Sequence, residues 1–161
     1  MSNIQLRPVQ ADDLPALFEF QNDPLANDLA AVHPRSWDDF LAHWQAVLQD
    51  DGVCSRTVLA DGAIAGNVSL FPVGADVFTG YWIHRALWGQ GIATAALRML
   101  LQEDARRPVH ARVAAHNAAS ICVLQKCGFA ITGREASPET ERFRACEEVW
   151  LTLASPQRGQ V

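Results

Sequence analysis

The segment of residues 87–101, LWGQGIATAALRMLL, restricts the possible folds of this chain more than any other stretch. It places Gly89 and Gly91 directly before an apolar helical pattern. Glycine costs backbone entropy and packs no side chain, so this pair indicates a sharp bend or a close approach of the backbone to a ligand. The first turn of a helix presents unpaired N–H groups at the positive end of the helix dipole, which attracts anions. The segment therefore predicts a phosphate-bearing ligand, although Gly89-Gln90-Gly91 taken alone also fits a tight turn without one.

Two familiar phosphate-binding motifs do not fit this loop. A nucleoside-triphosphatase loop needs Gly-Lys-Ser/Thr after its glycines, and a dinucleotide-binding loop needs Gly-x-Gly-x-x-Gly after the first strand. Here the glycines lie in the middle of the chain and no such lysine follows them. A second segment, NAASICVLQKCGF at residues 117–129, adds an asparagine at a strand end, a short helix and Gly128-Phe129 at the helix exit.

The remaining patterns predict alternating strands and helices. IQLRPV is typical of an opening strand, and ADDLPALFEF of a helix start. SWDDFLAHWQAVLQ has the apolar spacing of an amphipathic helix, with Ser36 as its N-cap and Asp39 three residues on. Asp61-Gly62 favours a two-residue hairpin turn between two strands. The further predicted elements are strands at VFTGYWIH, VHARVA, FAITGR and EEVWLTL, and helices over about 91–104 and Ala118–Lys126. This order predicts an α/β (α+β) fold, a mixed sheet with helices on both faces.

Length and composition are consistent with one globular domain. The chain has 161 residues, 49% of them hydrophobic and 19% charged, so we expect a domain over 1–154 and a flexible tail over 155–161. The net charge of −5 offers no basic field for nucleic acid and slightly favours a cationic substrate. The four cysteines form no Cys-x-x-Cys pair, so we expect reduced thiols and no metal. No signal peptide or long apolar run is evident, so we expect a cytoplasmic protein without a membrane segment.

Together, these segments resemble the GNAT superfamily of acyl-CoA-dependent N-acetyltransferases over nearly the whole chain. LRPVQADDLPALFEF resembles the opening strand and helix of that family, and GYWIHRALWGQGIATAAL resembles its pyrophosphate motif. NAASICVLQKCGF is similar to its second coenzyme motif. WGQGIAT with NAAS is most similar to the RimJ/RimL-like branch, which includes ribosomal-protein alanine acetyltransferases.

The resemblance implies a single GNAT-like domain with a mostly antiparallel seven-stranded sheet, splayed between its fourth and fifth strands. Acetyl-CoA, the co-substrate, would lie where the strand around Tyr81 leaves the strand that ends near Ala115. Amides of residues 90–94 would bind the pyrophosphate, side chains at Gly89 and Gly91 would block its approach, and the main chain of residues 82–84 would pair with pantetheine. The implied coenzyme-binding residues are Trp82, Ile83, His84, Trp88, Gly89, Gln90, Gly91, Ile92, Ala93, Thr94, Asn117, Ser120 and Lys126. Because Trp88 stands where the family often has Arg or Gln, phosphate binding is expected to depend on amides.

Acetyl transfer to a primary amine needs a neutral amine, donors for the developing oxyanion and a proton for the departing thiolate. Ser120 resembles the serine of RimL-like enzymes and is our expected acid, directly or through water; alternatively, it bonds only its own helix backbone. Asn117 is expected to orient the coenzyme or a catalytic water, and it also suits a helix cap. Leu124 stands where many GNAT enzymes place a tyrosine acid, so that role must move or be dispensable.

The general base is not identifiable from the sequence. Many relatives carry a glutamate just before the Gly-Tyr of the fourth strand, where this chain has Val77-Phe78-Thr79. The nearest titratable substitutes are His84 and His116, while His33 and Glu19 lie in the variable substrate-facing region. The alternative function is a GNAT-fold acyl-CoA-binding sensor without catalysis. The expected partners are acetyl-CoA and an amine, either a protein N-terminus or a small molecule, with no nucleic acid or membrane; the chain is expected to be a monomer or homodimer.

Overall fold

The structure, a computed structural model, describes residues 2–156. Seven strands form one sheet in the order β1-β2-β3-β4-β5-β7-β6, and only the β4–β5 pair is parallel. The strands are β1 Ile4–Pro8, β2 Cys54–Ala60, β3 Ala63–Val73, β4 Asp76–Ile83, β5 Val109–Ala114, β6 Ala130–Ser137 and β7 Cys146–Leu153. The predicted mixed, mostly antiparallel α/β sheet is confirmed. Of the predicted tail at 155–161, residues 157–161 lie outside the described residues.

Five α-helices accompany the sheet in the described part of the chain. They are α1 Leu14–Gln21, α2 Pro24–Ala30, α3 Trp37–Gln49, α4 Ile92–Glu103 and α5 Ala118–Lys126. The predicted cap of α3 is confirmed, since Ser36 Oγ accepts a hydrogen bond from the Asp39 N–H at 3.1 Å. The predicted hairpin turn is confirmed as well, because Asp61 and Gly62 both have positive φ, +52° and +84°.

Helix α2 is absent from the sequence prediction, although its start carries a local signal. Pro24 occupies the first helical position, and the Asp23 side chain accepts a hydrogen bond from the Leu25 N–H at 3.2 Å. An aspartate N-cap followed by proline is a recognised helix start. The helix is only seven residues long, so its apolar periodicity is too short to identify it.

Helices cover both faces of the sheet, as two adjacent residues of β2 illustrate. Val58 is fully buried in a cluster with the apolar stripe of α4. The next side chain back along the strand, Thr57, points the other way and donates to Asp13, just before α1. Because successive side chains of a strand alternate between faces, α4 and α1 lie on opposite sides. Around α1 and α3 a smaller cluster forms from Val9, Leu14, Leu17, Phe40 and Trp44.

The sheet opens between β4 and β5. The two strands pair only at Val77 with Val109 and at Phe78 with His110. Beyond this point, β4 continues along β3 as far as Ile83, while β5 continues along β7 as far as Ala114. The predicted splay is therefore confirmed, and it leaves a gap in the middle of the sheet.

Candidate active site

A cavity of about 410 Å³ lies on the β4 side of this gap, within the size range of small-molecule sites. Its walls come from α2, the end of β4, the glycine loop, the start of α4 and one side of α5. Most of the predicted coenzyme residues line it: Trp82, Ile83, Trp88, Gly89, Gly91, Ile92, Ala93, Thr94, Asn117, Ser120 and Lys126. His84 and Gln90 are not part of this lining. Sequence reasoning missed the contribution of α2, which supplies Ala26, Leu29 and Ala30.

The glycine loop needs glycine for its backbone conformation. Gly89 and Gly91 have φ of +79° and +76°, which L-residues rarely adopt. A Cβ built at either position meets no atom of the protein within 4 Å, so neither glycine is there to relieve packing inside the chain. Both line the cavity, where a side chain would occupy ligand space. Gly91 is the N-cap of α4, and the amides of Ile92, Ala93 and Thr94 form its first turn.

The Trp88 side chain ties this loop to the end of β4. Its indole Nε1 donates a hydrogen bond to the Ile83 carbonyl at 2.9 Å. The ring N–H is therefore used within the protein, which fits the expectation that phosphate binding here depends on main-chain amides.

The β4 backbone shows which groups face the gap. The His84 N–H donates to the Ala65 carbonyl at 2.8 Å, and a Cβ at Gly66 would collide with the Trp82 carbonyl oxygen. Since antiparallel residues bond alternately to either side, Trp82 and His84 point their backbone groups at β3, whereas Tyr81 and Ile83 point theirs at the gap. The main chain of Trp82 and His84 therefore already bonds within the sheet, which leaves it unavailable for the predicted pairing with pantetheine, whereas the main chain of Tyr81 and Ile83 faces the gap.

Tyr81 and Ser120 meet in the wall of the cavity. The Tyr81 hydroxyl lies 2.6 Å from Ser120 Oγ and donates to the Ser120 carbonyl at 3.1 Å. Burial raises the pKa of Tyr81 to about 12, against a smaller lowering by the Ser120 hydrogen bond, so the phenol stays protonated at neutral pH. Sequence reasoning gave this residue no role. The signals were present, because Leu124 replaces the usual tyrosine and Tyr81 is the chain's single tyrosine.

Asn117 caps helix α5, as one of the two sequence interpretations holds. Its side-chain oxygen accepts a hydrogen bond from the Ser120 N–H at 3.3 Å. The residue also lines the cavity. Capping therefore fixes Asn117 and Ser120 relative to each other at the cavity wall. Leu124, farther along the same helix, is buried in the main hydrophobic core.

A second cavity, of about 560 Å³, adjoins the first on the side of α1 and α3. The two cavities share five residues, namely Ala30, Tyr81, Trp82, Asn117 and Ser120. Buried polar side chains of β2, β3 and β4 contribute to its wall: Ser55, Asn67, Ser69 and Thr79. Among residues 2–156, no aspartate or glutamate lines either cavity.

Positive charge is concentrated in the second cavity. Arg35, Arg112 and Arg142 all line it, and Arg112 pairs with Glu148 at 3.1 Å. Burial, together with repulsion from Arg35, lowers the pKa of Arg142 to about 10. Burial and the same two guanidiniums, Arg35 and Arg142, lower the pKa of His43 to about 4, so its imidazole is neutral at pH 7.

The four titratable residues named as candidate bases do not line either cavity. The His84 ring stacks on Phe20 with centroids 4.3 Å apart, and His116 Nε2 lies 2.8 Å from the Asp28 carbonyl oxygen. His33 Nε2 lies 3.1 Å from Glu139, and Glu19 is exposed on α1. The structure therefore brings Ser120 and Asn117 to the site and leaves the candidate bases outside it.

A metal-binding cluster and a membrane-spanning helix are both absent from residues 2–156. Within that span, no three His, Cys, Asp or Glu side chains cluster closely enough to hold a metal ion. None of the helices described for this chain has the length and apolar character required to cross a bilayer.

The splayed sheet, the glycine loop before α4 and the two adjoining cavities define a GNAT-like domain. The model of the family described as acetyltransferase (GNAT) domain matches residues 3–130, more than half of the chain. The chain therefore belongs to the GNAT acetyltransferase family, as the sequence motifs predict. A search of the curated proteins returns no match.

Solved structures share this fold at low sequence identity. Spermidine N-acetyltransferase from Vibrio cholerae, in complex with CoA and spermine, has a TM-score of 0.81 and 16% identity, covering 94% of this chain and 95% of that one. The structure of yncA from Salmonella typhimurium with acetyl-CoA has a TM-score of 0.77 and 20% identity, covering 98% of this chain and 96% of that one. Mycobacterium smegmatis RimJ in complex with CoA-disulfide has a TM-score of 0.74 and 24% identity, covering 94% of this chain and 81% of that one. At these low identities, the similarity shows a shared fold and nothing finer.

Proposed function

We propose that this protein transfers an acetyl group from acetyl-CoA to a primary amine by direct attack in a ternary complex. The junction of the two cavities carries this proposal. Direct transfer requires a place for each substrate and a point where the reacting atoms meet. The two cavities supply the places, and Tyr81, Asn117 and Ser120, which line both, supply the meeting point.

The first cavity suits the coenzyme. Acetyl-CoA, when bound, supplies an acetyl group activated as a thioester. The first-turn amides of Ile92, Ala93 and Thr94 hold the pyrophosphate, together with the amide of Gln90, because these N–H groups have no acceptor inside the helix. Lys126, in the last turn of α5, adds a cation to the same cavity. The backbone of Tyr81 and the N–H of Ile83 pair with the pantetheine arm, since the Ile83 carbonyl already accepts a hydrogen bond from Trp88.

Ser120 passes its proton to the thiolate as the C–S bond breaks, and its oxygen takes a proton from the attacking nitrogen as the C–N bond forms, so the serine ends the step as a hydroxyl. Tyr81 positions it. Either oxygen can donate in the Tyr81–Ser120 hydroxyl contact, and the scheme requires Tyr81 to be the donor there, so that the Ser120 proton is left to point into the cavity. A thiol of pKa about 8.5 leaves fairly readily, so this donor has a modest task. Asn117 holds the first turn of α5 in place through its cap.

The amine nucleophile loses its proton without a carboxylate base in this scheme. No acidic side chain of residues 2–156 lines either cavity, and the His43 pKa near 4 makes that imidazole too weak a base at neutral pH. Nearby guanidiniums disfavour an ammonium ion and so lower the pKa of a bound amine. The acceptor accordingly binds in, or readily reaches, its neutral form.

Within the family, we place the chain in the RimJ/RimL-like branch, on the spelling of WGQGIAT and NAAS. The acceptor amine belongs to a protein N-terminus or a small molecule, and nucleic acid is not a partner. A cytoplasmic location and a monomeric or homodimeric state stay predictions.

The test combines binding with turnover. Acetyl-CoA should raise the melting temperature in a dose-dependent way, because a ligand of the folded state stabilises it. A panel of amines should then contain at least one that accelerates CoA release. A melting temperature that responds to ATP or NAD but not to acetyl-CoA contradicts the coenzyme assignment. Acetyl-CoA binding without transfer to any amine supports the alternative, a catalytically inactive acyl-CoA sensor.

A further inference from the structure

Two arginines of the second cavity lack a carboxylate partner. Arg35 and Arg142 are half-buried, and among residues 2–156 no Asp or Glu oxygen lies within 4.0 Å of either guanidinium. Asp39 attracts Arg35 from a greater distance, but burial outweighs it and lowers the pKa of Arg35. Seven other described arginines do make such pairs, including Arg112 in the same cavity. Removing a charge from water without a partner is costly. The pair of guanidiniums therefore has the composition of an anion site.

The fold holds Arg142 in this position. Its Nη1 donates to the His33 carbonyl at 2.6 Å, and its own carbonyl accepts from the His33 N–H at 2.7 Å. A β-bridge between Val32 and Phe143 fixes the same two segments together. Arg142 is thus fastened to the segment that leads into Arg35, although the two positive charges repel each other.

We infer that the acceptor is a small amine that also carries an anionic group, a carboxylate or a phosphate, bound by Arg35 and Arg142. This inference rests on the proposed acetyl transfer and narrows its acceptor. The planar guanidinium presents a fork of donors that matches either oxyanion. The amine of such an acceptor extends toward Tyr81 and Ser120, which line the same cavity.

The overall charge of the chain favours a cationic acceptor, whereas the charges that line the cavity favour an anionic one. The cavity charges decide, because they act at short range. The net charge of −5 slightly favours a cationic substrate, yet no acidic side chain of residues 2–156 lines this cavity. A polyamine brings several positive charges toward two unpaired guanidiniums, which is unfavourable at short range. We therefore expect polyamines to be poor acceptors here.

The experiment compares amines that differ only in the anionic group, at saturating acetyl-CoA, with rates expressed per neutral amine. The pairs are glycine with glycinamide and phosphoethanolamine with ethanolamine, and spermidine is added as the polyamine. For at least one pair, kcat/KM should be about tenfold or more higher for the anionic member, since charge-assisted hydrogen bonds are stronger than neutral ones. Which pair shows the preference distinguishes carboxylate from phosphate.

Variants locate the preference at the two arginines. Arg35→Gln and Arg142→Gln should each raise KM for the anionic acceptor roughly 10- to 100-fold. The effect on the neutral acceptor should be several-fold smaller, because that acceptor loses only the influence of the guanidinium on its amine pKa and no direct contact. Arg134→Gln is the matched control, because Arg134 pairs with Glu147 at 3.6 Å outside both cavities. Melting temperatures check that each variant is folded.

If the wild-type protein turns over the neutral acceptors or spermidine as well as the anionic acceptors, or better, the inference is overturned. This comparison needs no variant, so it holds even where a variant fails to fold. An anionic preference that survives both arginine substitutions also overturns it. If acetyl-CoA binds but no amine accelerates CoA release, the proposed transfer fails instead. In that case, calorimetry with N-acetylglycine and N-acetylglycinamide still tests the anion site. If N-acetylglycine binds the wild-type protein more tightly than N-acetylglycinamide does, and Arg142→Gln removes this difference, the anion site is supported. Equal affinities of the two compounds for the wild-type protein contradict it.

Discussion

The Tyr81 hydroxyl lies 2.6 Å from Ser120 Oγ, joining the splayed end of β4 to the first turn of α5. The contact lies in the wall that both cavities share. It pairs a phenol that stays protonated with a serine hydroxyl. No carboxylate is found among the described lining residues, so we propose this pair as the source of the proton for the thiolate.

Ser120→Ala should lower kcat about 10- to 100-fold, at or below the lower part of the usual range for acid–base groups, because the thiolate leaves fairly readily. Pre-steady-state CoA release with a responsive amine measures the effect, and acetyl-CoA affinity should change little. Equal rates for variant and wild type would remove Ser120 from the mechanism and point to a water held by Asn117.

Tyr81→Phe should lower kcat about tenfold, since it keeps the packed ring but removes the group that positions Ser120. KM for acetyl-CoA should stay close to the wild-type value. A purely structural role predicts a lower melting temperature with kcat unchanged, and that result would exclude Tyr81 from positioning Ser120.

The glycine loop yields a prediction with a matched control. Gly91→Val should abolish acetyl-CoA binding, because its side chain enters the space in front of the α4 amides. Gly62→Val imposes similar backbone strain, since Gly62 also has positive φ and open space around its Cβ, but it lies in the β2–β3 turn. It should leave binding intact. Gly89→Ala should weaken binding less than Gly91→Val.

Calorimetric titration of both valine variants with acetyl-CoA separates ligand exclusion from general strain. Unchanged affinity in Gly91→Val, or equal losses in Gly91→Val and Gly62→Val, would contradict the proposed loop geometry.

The dependence of rate on pH should follow the acceptor amine alone. The pKa of Tyr81 is raised to about 12 by burial, and that of His43 is lowered to about 4 by burial, Arg35 and Arg142. Neither group changes protonation in the neutral range, so kcat/KM should rise with pH as more amine becomes neutral, by about tenfold per unit below the amine pKa. Profiles for two amines of different pKa should shift in parallel with those pKa values. The contrary result is an acidic limb of the kcat/KM profile that stays at the same pH for both amines and disappears when a histidine is substituted. It would identify that histidine as a base.

A partly buried ion pair near α1 is expected to contribute to stability. Arg7 donates to both Asp13 oxygens at 2.6 and 2.7 Å, and Thr57 donates to Asp13 at 2.8 Å. Asp13→Asn should lower the free energy of unfolding by roughly 3 kcal/mol, because it removes the charge that Arg7 pairs with. Asp12→Asn, at an exposed neighbouring position, should have little effect in the same denaturant titration.

The sign of the pH effect follows from the same contacts. The hydrogen bond from Arg7, then those from Gln10 and Thr57, hold the pKa of Asp13 below its ordinary value despite burial. The stabilisation is therefore present above the ordinary aspartate pKa and is lost as the pH falls through the lowered value. Asp13→Asn should flatten the loss of stability in acid, and an unaltered acid limb would contradict this role.

Local signals explain how much of the molecule the sequence predicts. The Ser36 cap, the Asp61-Gly62 turn and the positive-φ loop at Gly89 and Gly91 each depend on a few adjacent residues, so pattern alone identifies them. The family motifs then predict the splay and most of the first cavity.

The acceptor side depends on contacts between distant segments. Arg35 and Arg142 belong to one cavity only because the chain after α2 is bonded to the loop before β7. The role that we propose for Tyr81 depends on the approach of Ser120 from another element. The alternation that directs Trp82 and His84 toward β3 depends on register, which the motif does not contain. These features become visible only in three dimensions.

Acceptor-dependent CoA release, with mass spectrometry of the product, tests the central claim most directly. The wild-type protein is incubated with acetyl-CoA and each amine of the panel, with Gly91→Val as the control that lacks the coenzyme site. We predict that at least one amine accelerates CoA release and is recovered as its N-acetyl derivative in matching amount, and that Gly91→Val gives neither. Saturable acetyl-CoA binding by the wild type, with no acetylated product from any amine, would contradict the account.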